Sequence, residues 1–402
     1  MNNEHGKIDY FEEIEKKKPS MARNLFILVL VVAGIAVVQH FFGFFGVEAR
    51  QDLRMTDTEI GLQYNFDVQA SFHSYSGRYF FFSTRDGIQH VSSTSGESSW
   101  QHSFSMARPV MVGRGNVVAV GEENGQSIYV FDTSGLLYAV QLPNPLLYFT
   151  VNISGYLSAI VRTEVGYMIL VYSPSNPDSY IYRAPFNDNN VFPFSVDVSN
   201  CGTYIAKALV DVNRLLFSRL TFSYVRRVDS RGVPDGLFAA YELPGELIVR
   251  SRFTNCGKVI VVTDRRILAY EPGTQGNLWS INFYNQPDRL HIGDNKLAFV
   301  TGEAFINEIE AKSPGVLHIF DFNGLLLSTY DLERRANHLS ISHNTVLVGT
   351  DRTFYAINQQ GTRLWTYTAM QDVRQMLFLE NTDTILQAGG NRATVLRRLR
   401  SN

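Results

Sequence analysis

Eight times along the chain a polar or glycine turn leads into a dense apolar run. Ser76-Gly77 leads into Tyr79 to Phe82, Gly115-Asn116 into Val117 to Val120, and Ser154-Gly155 into Tyr156 to Val161. Cys201-Gly202 leads into Tyr204 to Ala206, and Cys256-Gly257 into Val259 to Val262. Asp294-Asn295 then precedes Leu297 to Val300, His343-Asn344 precedes Val346 to Val348, and the turn Asn381 to Asp383 precedes Ile385 to Ala388. The turn centres 77, 115, 155, 202, 257, 295, 344 and 383 recur at a mean interval of roughly 44, the period of propeller blades.

A second element recurs after the first: an apolar strand, an acidic or amide residue, a glycine turn, then another strand. Val130 to Gly135, Ile319 to Gly324, Ala356 to Gly361 and the looser Ala269 to Gly276 show it. Asp or Asn folds its side chain onto the backbone two residues on, and glycine accepts the positive φ of the reversal, so this element predicts a hairpin. All three tryptophans sit just past such a glycine: Trp100 after Gly96, Trp279 after Gly276 and Trp365 after Gly361. A large ring at one fixed place on each outer strand predicts a wedge between neighbouring sheets, with Tyr138 after Gly135 in the same part.

Two hairpins make a four-stranded unit that cannot bury both faces alone, so the units must stack until a ring closes. Residues 61–402 divided by the mean repeat give about 7.8 units, which predicts an all-β, eight-bladed β-propeller rather than a seven-bladed one. The last repeat, Gln375 to Arg398, shows only three strands. Residues 62–67 look like an outer strand and are expected to supply the fourth, removing a free edge.

The amino-terminal part follows a different pattern. Leu25 to Val47 is apolar apart from Gln39 and His40. As a helix rising about 1.5 Å per residue it would cross a hydrocarbon core of about 30 Å. The aromatic-rich end at Phe41 to Phe45 suits an interface, and no small-x-small cleavage site follows. Lys16, Lys17, Lys18 and Arg23 precede the span, and only Arg50 and Arg54 follow closely, which places the amino terminus in the cytoplasm and the propeller outside. The expected order is a cytoplasmic tail 1–24, a single-pass transmembrane helix 25–47, a linker 48–60 and the propeller 61–402. The anchor would lie in the cytoplasmic membrane, with membrane contact through Leu25 to Val47.

Composition adds little. A net charge of −2 gives no reason to expect nucleic acid, and two cysteines are too few for a disulfide scaffold. Cys201 and Cys256 occupy matching turns of adjacent blades, too far apart to bridge, so two free thiols are expected.

The run Phe354 to Trp365, with Ala356, Asn358, Gly361 and Trp365, resembles the repeat of pyrroloquinoline-quinone-type propellers; Ile267 to Trp279 and Ile88 to Trp100 are looser versions. The layout as a whole resembles uncharacterised bacterial membrane proteins that carry one such propeller after one helix. The resemblance implies the fold. Cofactor-using members of that wider family are longer and carry a vicinal cysteine pair and a calcium site. This chain has no Cys-Cys, so their enzymatic function does not carry over.

No linear motif for nucleotide, zinc or serine-hydrolase chemistry occurs. His90 and His318 hold matched places in different blades and are expected to be separate surface residues. Asp132 and Asp321 offer too few oxygens for calcium, so no metal, cofactor or catalytic residue is assigned. Two long segments, 211–237 with Arg226, Arg227 and Arg231, and 302–315, stand out as insertions where a partner could bind, the three arginines being the candidates. Two functions compete. One is a non-catalytic, membrane-anchored, extracytoplasmic propeller that binds an envelope protein, peptide or glycan. The other is a quinoprotein-like oxidoreductase or hydrolase with its site in the central channel. A channel lined by convergent charges would favour the second, an exposed apolar face the first.

Overall fold

A computed structural model describes residues 58–66, 70–75, 77–188, 190–214, 217–226, 236–283, 286–302, 315–342 and 344–398 of the protein. The segment Leu25 to Val47 and the insertion residues 303–314 lie outside the described residues. No helix among the described residues is long and apolar enough to cross a membrane.

The strands form eight antiparallel four-stranded sheets, the blades of a propeller. In blades 1 to 7 the four strands follow one another in sequence. Blade 1 occupies 71–103, blade 2 109–141, blade 3 146–186, blade 4 191–244, blade 5 248–282, blade 6 287–332 and blade 7 338–368. Blade 8 differs: Gln375–Phe378, Thr384–Gly389 and Arg392–Arg398 are completed by Thr58–Asn65, whose residues Thr58 and Asn65 pair with Arg398 and Arg392. The ring is therefore joined by a strand from the opposite end of the chain, which covers the edge of Arg392–Arg398.

Every turn centre read from the sequence precedes a second strand. Tyr79–Thr84, Val117–Glu122, Leu157–Thr163, Tyr204–Asp211, Val259–Thr263, Lys296–Gly302, Thr345–Thr350 and Thr384–Gly389 are those strands. They read as continuous apolar runs because both of their faces are covered. Val259 and Val261 pack toward blade 4, while the intervening Ile260 and Val262 pack toward blade 6. In the same way Val346 and Val348 face blade 6, and Leu347 faces blade 8. The buried apolar side chains accordingly fall into clusters shared by neighbouring blades, with blade 8 joined to blade 1 through Phe72, Phe80, Leu386 and Val395.

The hairpin signal has the mechanism expected of it. Asp132 Oδ1 accepts from the Ser134 amide at 2.7 Å, Asp321 Oδ1 from Asn323 at 2.8 Å, and Asn358 Oδ1 from Gln360 at 3.0 Å. In blades 1 to 7 the first and third turns fall at one rim, here the first rim. The second turn and the passage to the next blade fall at the opposite, second rim. The supposed insertion at 211–237 is in good part regular structure: Phe217–Tyr224 is the third strand of blade 4.

Closure makes a sharp expectation. Deleting residues 58–66 from the full chain should expose the edge of Arg392–Arg398. Size-exclusion chromatography should then show self-association, and denaturant unfolding should lose its single cooperative transition. A monomeric deletion variant unfolding like the parent would refute the closing role of this strand.

Candidate functional site

The tryptophans tie blade to blade at the first rim. Trp100 Nε1 donates to the Thr133 carbonyl of blade 2 at 3.0 Å, and Trp279 Nε1 to the Phe322 carbonyl of blade 6 at 3.1 Å. Both acceptors lie in the third turn of the next blade. Trp365 Nε1 donates to the Thr382 carbonyl at 2.9 Å, which lies in the first turn of blade 8. Blade 8 has no third turn, because its outer strand arrives from the amino-terminal side. Tyrosines act alike: Tyr138 Oη donates to Gly155 of blade 3 at 2.6 Å, Tyr241 to Thr274 of blade 5 at 2.5 Å, and Tyr64 to Ser92 of blade 1 at 3.2 Å. Between blades 3 and 4 the direction is reversed, with buried Lys207 Nζ donating to Tyr182 Oη at 2.9 Å.

Blade 6 carries Ser328 at this register position, opposite Ile319, and no large ring. The turn of blade 7 closes down on it instead. A Cβ on Gly361, which has φ +78°, would lie 2.8 Å from the Thr329 carbonyl oxygen. A Cβ on Gly324, with φ +82°, would strike the Trp279 ring at 2.8 Å. Both glycines are thus needed for φ and for space. Gly96, Gly135 and Gly276 occupy the corresponding turns of blades 1, 2 and 5.

The other sequence candidates are scattered. Arg226 is exposed at the first rim, its Nη2 3.5 Å from Ser173 Oγ of blade 3; Arg227 and Arg231 lie outside the described residues. His90 is not a surface residue: it is buried, with Nε2 2.6 Å from Tyr75 Oη and Nδ1 2.6 Å from Ser99 Oγ, and it stacks on Trp100. It sits on the buried side because its strand is covered on both faces. His318 is held by Thr301 Oγ1 at 3.1 Å. Cys201 and Cys256 are free and exposed.

What the structure gathers lies on the inner strands, around the central channel. Asp197 of blade 4 receives Arg114 Nη2 of blade 2 at 3.0 Å, an ion pair that is almost wholly buried. The same carboxylate accepts the Phe253 amide of blade 5 at 2.7 Å and the Val198 amide at 3.0 Å. Arg252 reaches the Ile292 carbonyl of blade 6 and lies 3.7 Å from Asp294. Nearer the second rim stands a further tier, Tyr148, Ser195, Arg250, Arg289 and His338, from five successive blades. Just before the residues of this tier, the inner strands of blades 3 to 6 all carry a register shift, between Leu146/Tyr148, Pro193/Ser195, Ile248/Arg250 and Pro287/Arg289. A bulge of this kind re-aims the side chains beside it.

Enclosure by the blades and crowding by cations tune these groups. Burial, then Arg252, Arg250 and His338, push His291 down to about 3. Burial and Arg289 take His338 to about 4 against a hydrogen bond it donates to the Met376 backbone, and its Nε2 has no hydrogen-bond partner among the described residues. Burial also lowers His73, and Arg252 lowers it further, while Gly115 and Asp294 oppose. Arg252 itself falls to about 9 through burial and the fields of Arg114 and Arg250. Burial and Asp197 raise Tyr148, so its phenol stays protonated and remains a donor. Arg289 is pinned to the Asn337 carbonyl at 3.0 Å. Arg250 is exposed and makes no hydrogen bond or ion pair among the described residues.

This cluster was missed in the sequence because its partners come from different blades, 83 residues apart for Arg114 and Asp197 and 56 for Asp197 and Phe253. A signal was present: His73, Asp197, Arg252 and His291 each stand four or five residues before a turn centre.

The profile of a family of unknown function, DUF5711, matches residues 54–396. No curated protein matches the chain. Among solved structures, BamB from Moraxella catarrhalis is similar over 85% of this chain and 99% of that one, at 13% identity and a TM-score of 0.52. AztD from Citrobacter koseri is 12% identical over 75% and 87% of the two chains, with a TM-score of 0.48. The Cps50 (Swd1) β-propeller domain of Myceliophteria thermophila is 10% identical over 85% and 99%, with a TM-score of 0.47. The first of these likenesses supports the propeller fold.

Two expectations follow from the geometry. Trp365→Ala should destabilise the propeller by about 3–5 kcal/mol, the range for emptying a buried aromatic site. Trp365→Phe should cost less, on the order of one hydrogen bond, about 1 kcal/mol plus a small void. Chemical denaturation reads both, and equal costs would deny the hydrogen-bonded tie. The second concerns acid. His291 and His338 stay neutral when folded, whereas unfolded histidine titrates at about 6.5. The unfolded chain therefore binds more protons as pH falls below about 6.5, and stability drops from there toward pH 4, by up to about 1.4 kcal/mol per pH unit per histidine. The urea midpoint should fall between pH 7 and pH 5, and the double variant H291Q/H338Q should shrink that fall. An unchanged pH dependence would contradict the assignment.

Proposed function

Because the chain belongs to the DUF5711 family of unknown function, its role must be argued from its surface, and we propose that it is a single-pass, membrane-anchored, extracytoplasmic propeller that docks an envelope protein. The observation that carries this reading is an exposed apolar crescent at the second rim. Val110, Val165, Phe194, Val212 and Val249, from four consecutive blades 2 to 5, are 45%, 58%, 53%, 57% and 53% exposed. Large apolar side chains exposed on one rim of neighbouring blades are what a docking partner would cover. Phe194 and Val249 are the extra residues of two of the inner-strand bulges, so the register shifts that aim the channel side chains also present this surface. Beside Val110 a cavity of about 350 Å³ is lined by Ser71, Arg108, Arg374 and Gln375, offering polar partners at the edge of the patch. Other exposed leucines, such as Leu136 and Leu326, lie on outer strands, away from the channel.

Membrane anchoring rests on the apolar length of Leu25 to Val47, and the outward placement on the lysines and arginine before it. The propeller fold, which BamB from Moraxella catarrhalis shares, supports a binding module in general terms.

One experiment addresses both halves. In intact cells, a photocrosslinking residue at Phe194 or Val249 should give discrete protein adducts, and one at Leu326 should not. In the same cells a membrane-impermeant thiol reagent should label exposed Cys201 and Cys256 without lysis. Adducts equal at all three positions, or none, would overturn the docking face. Labelling that requires lysis would overturn the extracytoplasmic placement.

A further inference from the structure

Among the described residues the charges of the central channel do not balance. Arg114, Arg250, Arg252 and Arg289 converge there from blades 2, 5 and 6, against the carboxylates of Asp197 and Asp294. Three of the four arginines have structural work that accounts for them. Arg114 neutralises Asp197 and thereby spans from blade 2 to blade 4. Arg252 is held by the Ile292 carbonyl and by Asp294. Arg289 is fixed on backbone oxygens, including Asp288 O at 2.7 Å. Arg250 has no such account. Its side chain is exposed and unpartnered among the described residues, although Asp197 is close enough to act on the same Tyr148 phenol.

The surroundings of Arg250 are those of a receptor for negative charge. Tyr148 supplies a neutral O–H, since burial and Asp197 keep it protonated. Ser195 and Ser251 hold each other, Oγ to Oγ at 3.1 Å, and fix the backbone of blades 4 and 5 beside it. Burial, Arg114 and Arg250 together press on Arg252, a pressure that a bound anion would relieve. The bulges at Ile248/Arg250 and Pro193/Ser195 set the two strands that carry these residues, and a bulge is a costly irregularity where nothing requires it. An arginine fork with a phenol donor near it matches the oxygens of a carboxylate or a phosphate.

We propose that the central channel binds an oxyanion at Arg250, with Tyr148 as neutral donor and Arg252 as the deeper positive charge, the anion being either a small free acid or the terminal carboxylate of a peptide reaching in from the second rim. This goes beyond the docking reading and does not depend on it: adducts at Phe194 would neither require nor exclude an anion in the channel.

The test uses the full chain in detergent, titrated calorimetrically at ionic strength held constant with sodium chloride. The probes are inorganic phosphate, acetate, and an acetylated dipeptide with a free terminal carboxylate, its carboxamide serving as the uncharged control. At least one anionic probe should saturate, R250Q should weaken it tenfold or more, R250K less, and R392Q, a change at an exposed arginine of blade 8, should leave it unchanged. Saturation by phosphate or acetate would identify a small free acid; saturation by the dipeptide acid but not by its amide would identify a peptide. Y148F should weaken the same probe while leaving the thermal midpoint near that of the parent, which provides a second reading if R250Q does not fold. Absence of saturable binding by every anionic probe would overturn the proposal. So would R250Q and Y148F proteins that bind as the parent does, or equal weakening by R392Q.

Discussion

No blade of this protein owns a hydrophobic core. Each second strand divides its side chains by parity, one set for the blade before and one for the blade after, as Ile260 and Val261 do on adjacent residues. A single blade in water would expose both apolar faces, and a row of blades would still expose two. Burying a side chain such as Phe80 or Ile260 is worth about 1.5–3 kcal/mol, so an unjoined ring forfeits a whole interface of such terms. Thr58–Asn65 is the strand on which that closure rests: it completes the last blade, and its Leu62 and Tyr64 pack into the cluster between blades 8 and 1.

The same constraint explains the ties at the first rim. Once cores lie between blades, the outer strand of each blade is the natural place to fasten it to the next. A ring with one N–H or O–H suits that place, since its body fills the gap and its polar tip reaches a turn carbonyl. Trp100, Trp279, Tyr138 and Tyr64 are variations on this arrangement. Trp365 shows that the arrangement is set by what the neighbour offers. Its target blade lacks the usual turn, and the indole finds the Thr382 carbonyl in a different one at the same rim. Where blade 6 offers only Ser328, the backbone of the next blade moves in, and Gly361 is what permits it.

These features were legible in the sequence because each is local. A turn and the strand after it are neighbours in the chain, and Asp132 or Asn358 acts on residues two positions away. Residues 62–67 could be recognised by their pattern as an outer strand lacking neighbours, and the observed strand is Thr58–Asn65. His90 was misjudged for an equally physical reason: one polar residue in an otherwise apolar strand looks solvent-facing, and only the packing shows that Tyr75 and Ser99 satisfy it in the interior. The channel was not legible at all from any single stretch. Arg114, Asp197 and Arg252 each look like an ordinary polar position on an alternating strand. Only the circular arrangement puts blade 2 in reach of blade 4, and the bulges that turn the inner strands leave no mark in composition.

The channel arginines separate architecture from capacity. A buried pair such as Arg114–Asp197 is costly to desolvate and is tolerated only when every lone pair and proton is occupied; here two amides complete the carboxylate. That arrangement is self-sufficient and would hold three blades in register without any neighbour. It also leaves no negative charge over. Placing Arg250 next to it therefore adds repulsion to Arg252 and to the His291 ring without any compensating partner within the described residues. An exposed guanidinium with no partner among the described residues is available to a group from outside the chain, and the neutral phenol of Tyr148 near it suits groups bearing oxygen and negative charge.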